Sequence, residues 1–135
     1  DHAPHTLDEK AELYFKAPSG LPLVQHFLGM MLELVHEGHF ELTRIVEKAA
    51  HNPARLFGIK DRGFIREGYY ADFAIVDLAA TDVVTAESLL YKCGWSPLEG
   101  ETLHSRVVKT VLNGQVVFDR GRLIETRAAL PLEFS

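Results

Sequence analysis

Val107-Val108-Lys109-Thr110-Val111-Leu112-Asn113-Gly114-Gln115-Val116-Val117-Phe118 is the stretch that decides the fold class. Two apolar, β-branched runs flank Asn113-Gly114, the strongest short-range signal for a two-residue hairpin turn. Working back from it, Phe73–Val76 and Val83–Val84 are further short apolar runs, and the turn residues Asp61, Gly63 and Gly68 precede them. Everything after Gly58 therefore reads as β-rich. Before Gly58 the period changes. Leu23, Val24, Phe27, Leu28, Met31, Leu32, Leu34 and Val35 recur at three- and four-residue steps, which predicts a helix with Pro22 in its first turn and its end near Gly38. Leu42, Ile45, Val46, Ala49 and Ala50 predict a second helix, and Asn52-Pro53 a capped third one over Ala54–Phe57. Asp1 to Gly20 has no period and reads as a long loop, a feature that in compact domains is usually functional or disordered.

The chain has 135 residues, 47% hydrophobic and 24% charged, the proportions of one ordinary globular domain. A chain of this length can bury roughly 68% of its unfolded surface, so length alone permits a core. The pattern argues otherwise: three amphipathic helices need a surface to cover, and a few short strands leave open edges. Both halves read as parts of something larger. The 14 Lys+Arg against 19 Asp+Glu give a net charge of −5, with no basic footprint for nucleic acid or an anionic membrane. Apolar runs fall far short of the ~20 residues of a membrane-spanning helix. One cysteine, Cys93, excludes an internal disulfide framework and fits a reducing compartment, so the expected location is cytoplasmic. The chain opens on Asp1 in the middle of a polar cluster, which reads as a cut.

That cluster, Asp1-His2-Ala3-Pro4-His5, is the densest set of potential metal ligands, with a carboxylate and two imidazoles stiffened by Pro4. Histidine-containing loops without a site look the same, so the cluster alone leaves both readings open. His26, His36 and His39 lie on or beside the first predicted helix without the glutamate of a metalloprotease motif, and read as solvated or locally hydrogen-bonded. His51 and His104 read as structural. Cys93 has no second cysteine, and Ser19 lacks a nucleophile elbow; in Ala17-Pro18-Ser19-Gly20 it reads as turn backbone, with Gly20 permitting close approach of a ligand.

Asp1-His2-Ala3-Pro4-His5-Thr6 resembles the motif that ends the eighth barrel strand of dihydroorotases, members of the amidohydrolase superfamily. Four further segments are similar to that family in the same order. Ala17-Pro18-Ser19-Gly20-Leu21-Pro22 resembles its substrate-side loop, and Asn52-Pro53-Ala54-Arg55-Leu56-Phe57-Gly58 the helix that leaves the barrel. Gly68-Tyr69-Tyr70-Ala71-Asp72-Phe73-Ala74-Ile75-Val76-Asp77 resembles the strand that re-enters a small β-domain, and Val111–Val117 its closing hairpin.

The resemblance implies an α/β fold. Residues 1–58 would be the C-terminal end of a metal-dependent (β/α)8 TIM barrel, and residues 59–135 part of a small composite β-sandwich. Active sites of such barrels gather at the C-terminal strand ends, where Asp1 would lie. It implies Asp1 as zinc ligand and proton carrier, His5 as a contact to the substrate carboxylate, and the backbone of Ser19 and Gly20 as contacts to the pyrimidine ring. The implied reaction is reversible hydrolysis of dihydroorotate to N-carbamoyl-aspartate in pyrimidine synthesis, with two zinc ions in the intact enzyme and homodimers common in the family.

There are departures. The family's His-x-His pair, carboxylated lysine, two further histidines and substrate-binding arginine and asparagine precede the aspartate, so this chain alone is expected to be inactive and to hold no catalytic zinc. Leu23 stands where many relatives carry glycine. Competing readings are a hydantoinase, dihydropyrimidinase or allantoinase, a noncatalytic amidohydrolase-like scaffold, and a free-standing binding module. An imidazole at His5 favours a substrate that bears a carboxylate.

Overall fold

In the computed structural model, which describes residues 1–135, the Asn113-Gly114 turn forms as expected. Both residues take positive φ, 49° and 78°, as a two-residue hairpin turn requires. The turn joins β4 (Arg106–Leu112) to β5 (Gln115–Asp119). β1 (Phe73–Asp77) pairs antiparallel with β4, and β6 (Arg122–Leu123) with β5, giving the sheet order β1-β4-β5-β6. The register slips between Ile75 and Val76 and again between Thr110 and Val111, so the ladder is bulged on both sides of β4. A second sheet pairs β2 (Asp82–Val83) with β3 (Thr102–Leu103). β2 overlaps the Val83–Val84 run read from the sequence, whereas β3 and β6, two residues each, carry too little alternation to be read from it.

Before the sheets lie four helices: α1 (Leu7–Lys10), α2 (Phe27–His36), α3 (Leu42–Val46) and α4 (Asn52–Leu56). The first twenty residues are not all loop, because Thr6 caps α1 through a complete capping box: its hydroxyl accepts from the Glu9 amide while the Glu9 carboxylate accepts from the Thr6 amide. Pro22 lies before its helix rather than in it. The chain turns helical at Val24 with one 3-10 turn, Val24–His26, and Pro22 is fully buried. Asn52 caps nothing: His51 and Asn52 are already helical, and α3 runs through a π-helical turn, Glu47–His51, into α4. The physical reason is Pro53. A proline lacks its N–H and crowds the carbonyl four residues back, and a widened turn just before it relieves both problems.

Gly38 and Gly58, at φ +76° and +61°, stop the two helical segments as the sequence indicated. Gly58 also meets the C-terminus: Ser135 donates to the Gly58 carbonyl at 2.8 Å, and Phe134 bridges Ile59. α2 lies against β3, where Gly29 leaves room for Leu103; a Cβ at Gly29 would be 2.8 Å from the Leu103 Cδ1. The Glu33 carboxylate accepts from the backbone N–H of His104 and lies 2.8 Å from its Nδ1. Beneath the hairpin, Arg62 pairs with Asp72, whose other oxygen accepts the Asn113 amide at 2.7 Å.

The chain does not close a core. Only 11 of 135 residues are buried, and 9676 Å² of surface is exposed, against about 7,100 Å² for a compact monomer of this mass. Large apolar side chains stand open on both halves, Phe15 at 97%, Ile65 at 85% and Leu56 at 77%. The length allowed a core, but the elements leave their apolar faces unpaired. No helix is long and apolar enough to cross a membrane.

Candidate active site

Asp1 to Pro4 runs extended beside the turn that holds Ser19 and Gly20. The Ala3 amide donates to the Leu21 carbonyl at 2.9 Å, pinning the two segments together. Gly20 has φ +97°, and a Cβ there would lie 2.4 Å from the Ala3 Cβ, so no other residue fits without displacing the Asp1 segment. The close approach that glycine permits is thus to Ala3. The amide groups of Ser19, Gly20 and Leu21 donate to no acceptor in the chain, which leaves a row of free donors at this turn.

The three potential ligands of the opening cluster do not converge. Asp1 is exposed, and its Oδ1 accepts only the neighbouring His2 amide at 2.8 Å. The His2 ring turns to Tyr91, with centroids 5.2 Å apart. His5 turns its Nδ1 to Glu9, 3.7 Å away on the next helical turn. The hydrogen bonds that the Glu9 carboxylate accepts from the Thr6 backbone and hydroxyl hold it below the usual carboxylate range, aided by His5. No three His, Cys, Asp or Glu side chains come together anywhere in a metal-binding group. Asp1 fits zinc as a single oxygen ligand with one oxygen uncommitted; the remaining ligands of a zinc centre are not supplied by the residues around it.

A segment far along the chain completes the site. Trp95 donates from its indole Nε1 to the His5 carbonyl at 2.7 Å. The Tyr91 hydroxyl accepts the Gln25 amide at 2.8 Å, and Gln25 in turn bonds the backbone of Ser88 and Leu90. Burial raises the Tyr91 pKa, opposed by hydrogen bonds from the Gln25 and His26 backbone amides. His2, Pro4, Val24, Gln25, Leu90, Tyr91 and Lys92 line a groove of about 510 Å³ next to the Asp1 segment. Tyr91 and Trp95 belong to no motif in the sequence, where Cys93 between them is the residue that draws attention. The lone tryptophan was the available signal, since a buried indole needs an acceptor.

Of the other histidines, His36 and His39 are exposed, as the sequence indicated, and His51 packs on an aromatic ring. His51 stacks on Phe64 at 4.4 Å, His39 faces Glu37 at 3.4 Å, and His36 lies edge-on to His104 at 6.3 Å. His26 departs from the expectation of a solvated ring: it is buried, with Nδ1 unpartnered. Cys93 is a free thiol whose only polar contact is the Trp95 carbonyl at 3.9 Å.

Residues 29–118 match the amidohydrolase family, and the chain belongs to that family. Within it the similar proteins are dihydroorotases. That of Pyrococcus abyssi is 40% identical over 92% of this chain and 30% of its own length; that of Archaeoglobus fulgidus is 45% identical over 74% of this chain and 24% of its own. Among solved structures, the L-hydantoinase (dihydropyrimidinase) of Arthrobacter aurescens superimposes with TM-score 0.75 at 31% identity, over 82% of this chain and 25% of that one. The D-hydantoinase of a Thermus species shares the fold with TM-score 0.87 at 22% identity, over 95% and 29%. The chain thus spans under a third of the length of the relatives it matches.

Proposed function

We propose that this chain is the C-terminal part of a dihydroorotase, a hydrolase that opens the cyclic amide of dihydroorotate to N-carbamoyl-aspartate. Residues 1–58 form the end of the amidohydrolase barrel and its outer helices, and residues 59–135 a portion of the small β-sandwich. The observation that carries the reading is the pairing of the Asp1 segment with the Gly20 turn, because it sets the segment that bears Asp1, with one carboxylate oxygen uncommitted, beside a row of unpaired amide donors. The dihydroorotase relatives support the choice of substrate.

Asp1 is the one residue here that would hold zinc. Zinc held there together with ligands from the rest of the barrel would supply Lewis-acid polarisation of the ring carbonyl and a more acidic water. Asp1 holds the proton of that water on a carboxylate oxygen and passes it to the departing amide nitrogen, base becoming acid. The backbone amides of Ser19 and Gly20 bind the pyrimidine ring and orient it, and His5 binds the substrate carboxylate. The other metal ligands and the cationic side of the site come from the rest of the barrel.

The solved hydantoinases support a second reading, a related cyclic-amide hydrolase acting on hydantoin. The full-length protein loaded with zinc and assayed on both compounds decides between them. Preference for dihydroorotate by 100-fold or more in kcat/KM is expected; preference for hydantoin, or activity on neither, overturns the proposal.

A further inference from the structure

Lys10 ends α1 with its side chain aimed back at the Ser19-Gly20 turn. Its Nζ donates to the carbonyl of Pro18 at 2.8 Å and to that of Gly20 at 3.3 Å. The contact is half-buried. Arg44, Arg62, Arg106 and Lys109 all face carboxylates, whereas Lys10 makes no ion pair. Its charge is committed to two peptide carbonyls. Those carbonyls belong to the peptide units whose N–H groups are those of Ser19 and Leu21, two of the three amides left without an acceptor. A cation on the oxygen side of a peptide unit polarises it and makes its N–H a stronger donor, an effect that grows where water is scarce.

We propose that Lys10 is a positioning residue for substrate: it fixes and polarises the 18–21 turn so that its amides bind the carbonyl oxygens of a cyclic amide. The proposal rests on the reading of that turn as the substrate loop. Three local features aim the lysine. The Thr6–Glu9 capping box fixes the start of α1, so Lys10 leaves the helix one turn later on a set side. The Lys10 amide bonds the Thr6 carbonyl at 3.0 Å, which ties its backbone to the residue that follows His5. From the opposite side the close approach of Ala3 to Gly20 and the Ala3–Leu21 hydrogen bond brace the turn against the lysine.

The test uses the full-length, zinc-loaded protein and the variants Lys10→Met, which keeps the apolar stem, and Lys10→Arg, which keeps charge and donors. Lys10→Met is expected to raise KM for dihydroorotate about tenfold, the worth of a charge-assisted hydrogen bond acting through the loop, with kcat changed less than threefold. Exchange of the Ala3 amide, which the Leu21 carbonyl of that turn holds at 2.9 Å, should quicken by a similar factor, and Lys10→Arg should recover most of both. If Lys10→Met does not accumulate folded, Lys10→Gln serves in the same comparison. Unchanged KM and exchange, or a fall in kcat without either, overturns the inference. Exchange needs no substrate. Wild-type protein that turns over hydantoin instead would sink the substrate assignment while leaving the lysine's role testable on hydantoin.

Discussion

Trp95 Nε1 and the carbonyl of His5 meet at 2.7 Å across 90 positions of sequence, so the segment between β2 and β3 reaches back to hold the loop that begins at Asp1. Removing the donor leaves a half-buried carbonyl unpaired. Trp95→Phe in the full-length protein should cost about 1–2 kcal/mol of stability and quicken exchange at His5 and Thr6. Urea unfolding with exchange mass spectrometry checks it; wild-type exchange at those positions would show that the indole holds nothing.

Gly20→Ala combines a left-handed backbone with a Cβ 2.4 Å from that of Ala3. The expected cost is about 2–4 kcal/mol from overpacking and the positive φ together, with at least a tenfold loss of turnover. Ala3→Gly should recover part of the loss in the double variant, because it removes the atom that clashes. Strict additivity of the two changes would contradict the contact.

Asp72 bridges the buried Arg62 and the Asn113 amide at the hairpin turn, with Arg62 also lying over the Tyr70 ring at 4.0 Å. Asp72→Ala leaves a buried guanidinium without its counter-charge, and a loss of about 3–5 kcal/mol is expected. Thermal unfolding measures it. A change below 1 kcal/mol would mean that solvent already screens the pair.

Burial lowers the His26 pKa below its ordinary 6.5, against the opposing pull of Asp82. The unfolded chain takes up a proton at 6.5 that the folded chain refuses until lower pH, so the stability tied to this ring is complete above 6.5. It declines as pH falls from 6.5 toward the folded pKa. His26→Phe keeps the edge-on packing against Tyr91 and removes the unpartnered Nδ1. Its unfolding free energy should fall less steeply than wild type between pH 6.5 and 5; parallel slopes would refute the assignment.

Glu33 also loses its contribution in acid, but it does so at lower pH and as a charged group. Burial raises its pKa, but hydrogen bonds from the side chain and backbone of His104 outweigh it, and the carboxyl titrates below its ordinary 4.5. Its contribution is present above 4.5 and is lost as pH falls below that value. Glu33→Gln should therefore lower stability at pH 7 and converge with wild type in acid, as urea titrations at pH 7 and pH 3 would measure.

What was legible in the sequence was local. Asn113-Gly114 dictates its turn because two adjacent residues can take positive φ without help from elsewhere, and Gly38 stops a helix for the same reason. The capping box over Thr6–Glu9 was equally local and readable, yet the lack of a longer period hid it. Asn52-Pro53 misled because a cap followed by proline and a helix crossing a proline are the same letters. The preceding π turn, which depends on the whole α3–α4 run, selects the second. The order of the motifs carried family membership, since the segments that resemble amidohydrolases stand in the right succession along one chain.

Only the tertiary structure decided how the site is held. Gly20 against Ala3, Lys10 on the carbonyls of the 18–21 turn, and Trp95 on His5 join residues 8 to 90 positions apart. Such pairings are set by how elements pack, which no window of sequence contains. The apolar faces left open have the same origin: periodicity tells which residues need covering, while the surface that covers them lies elsewhere.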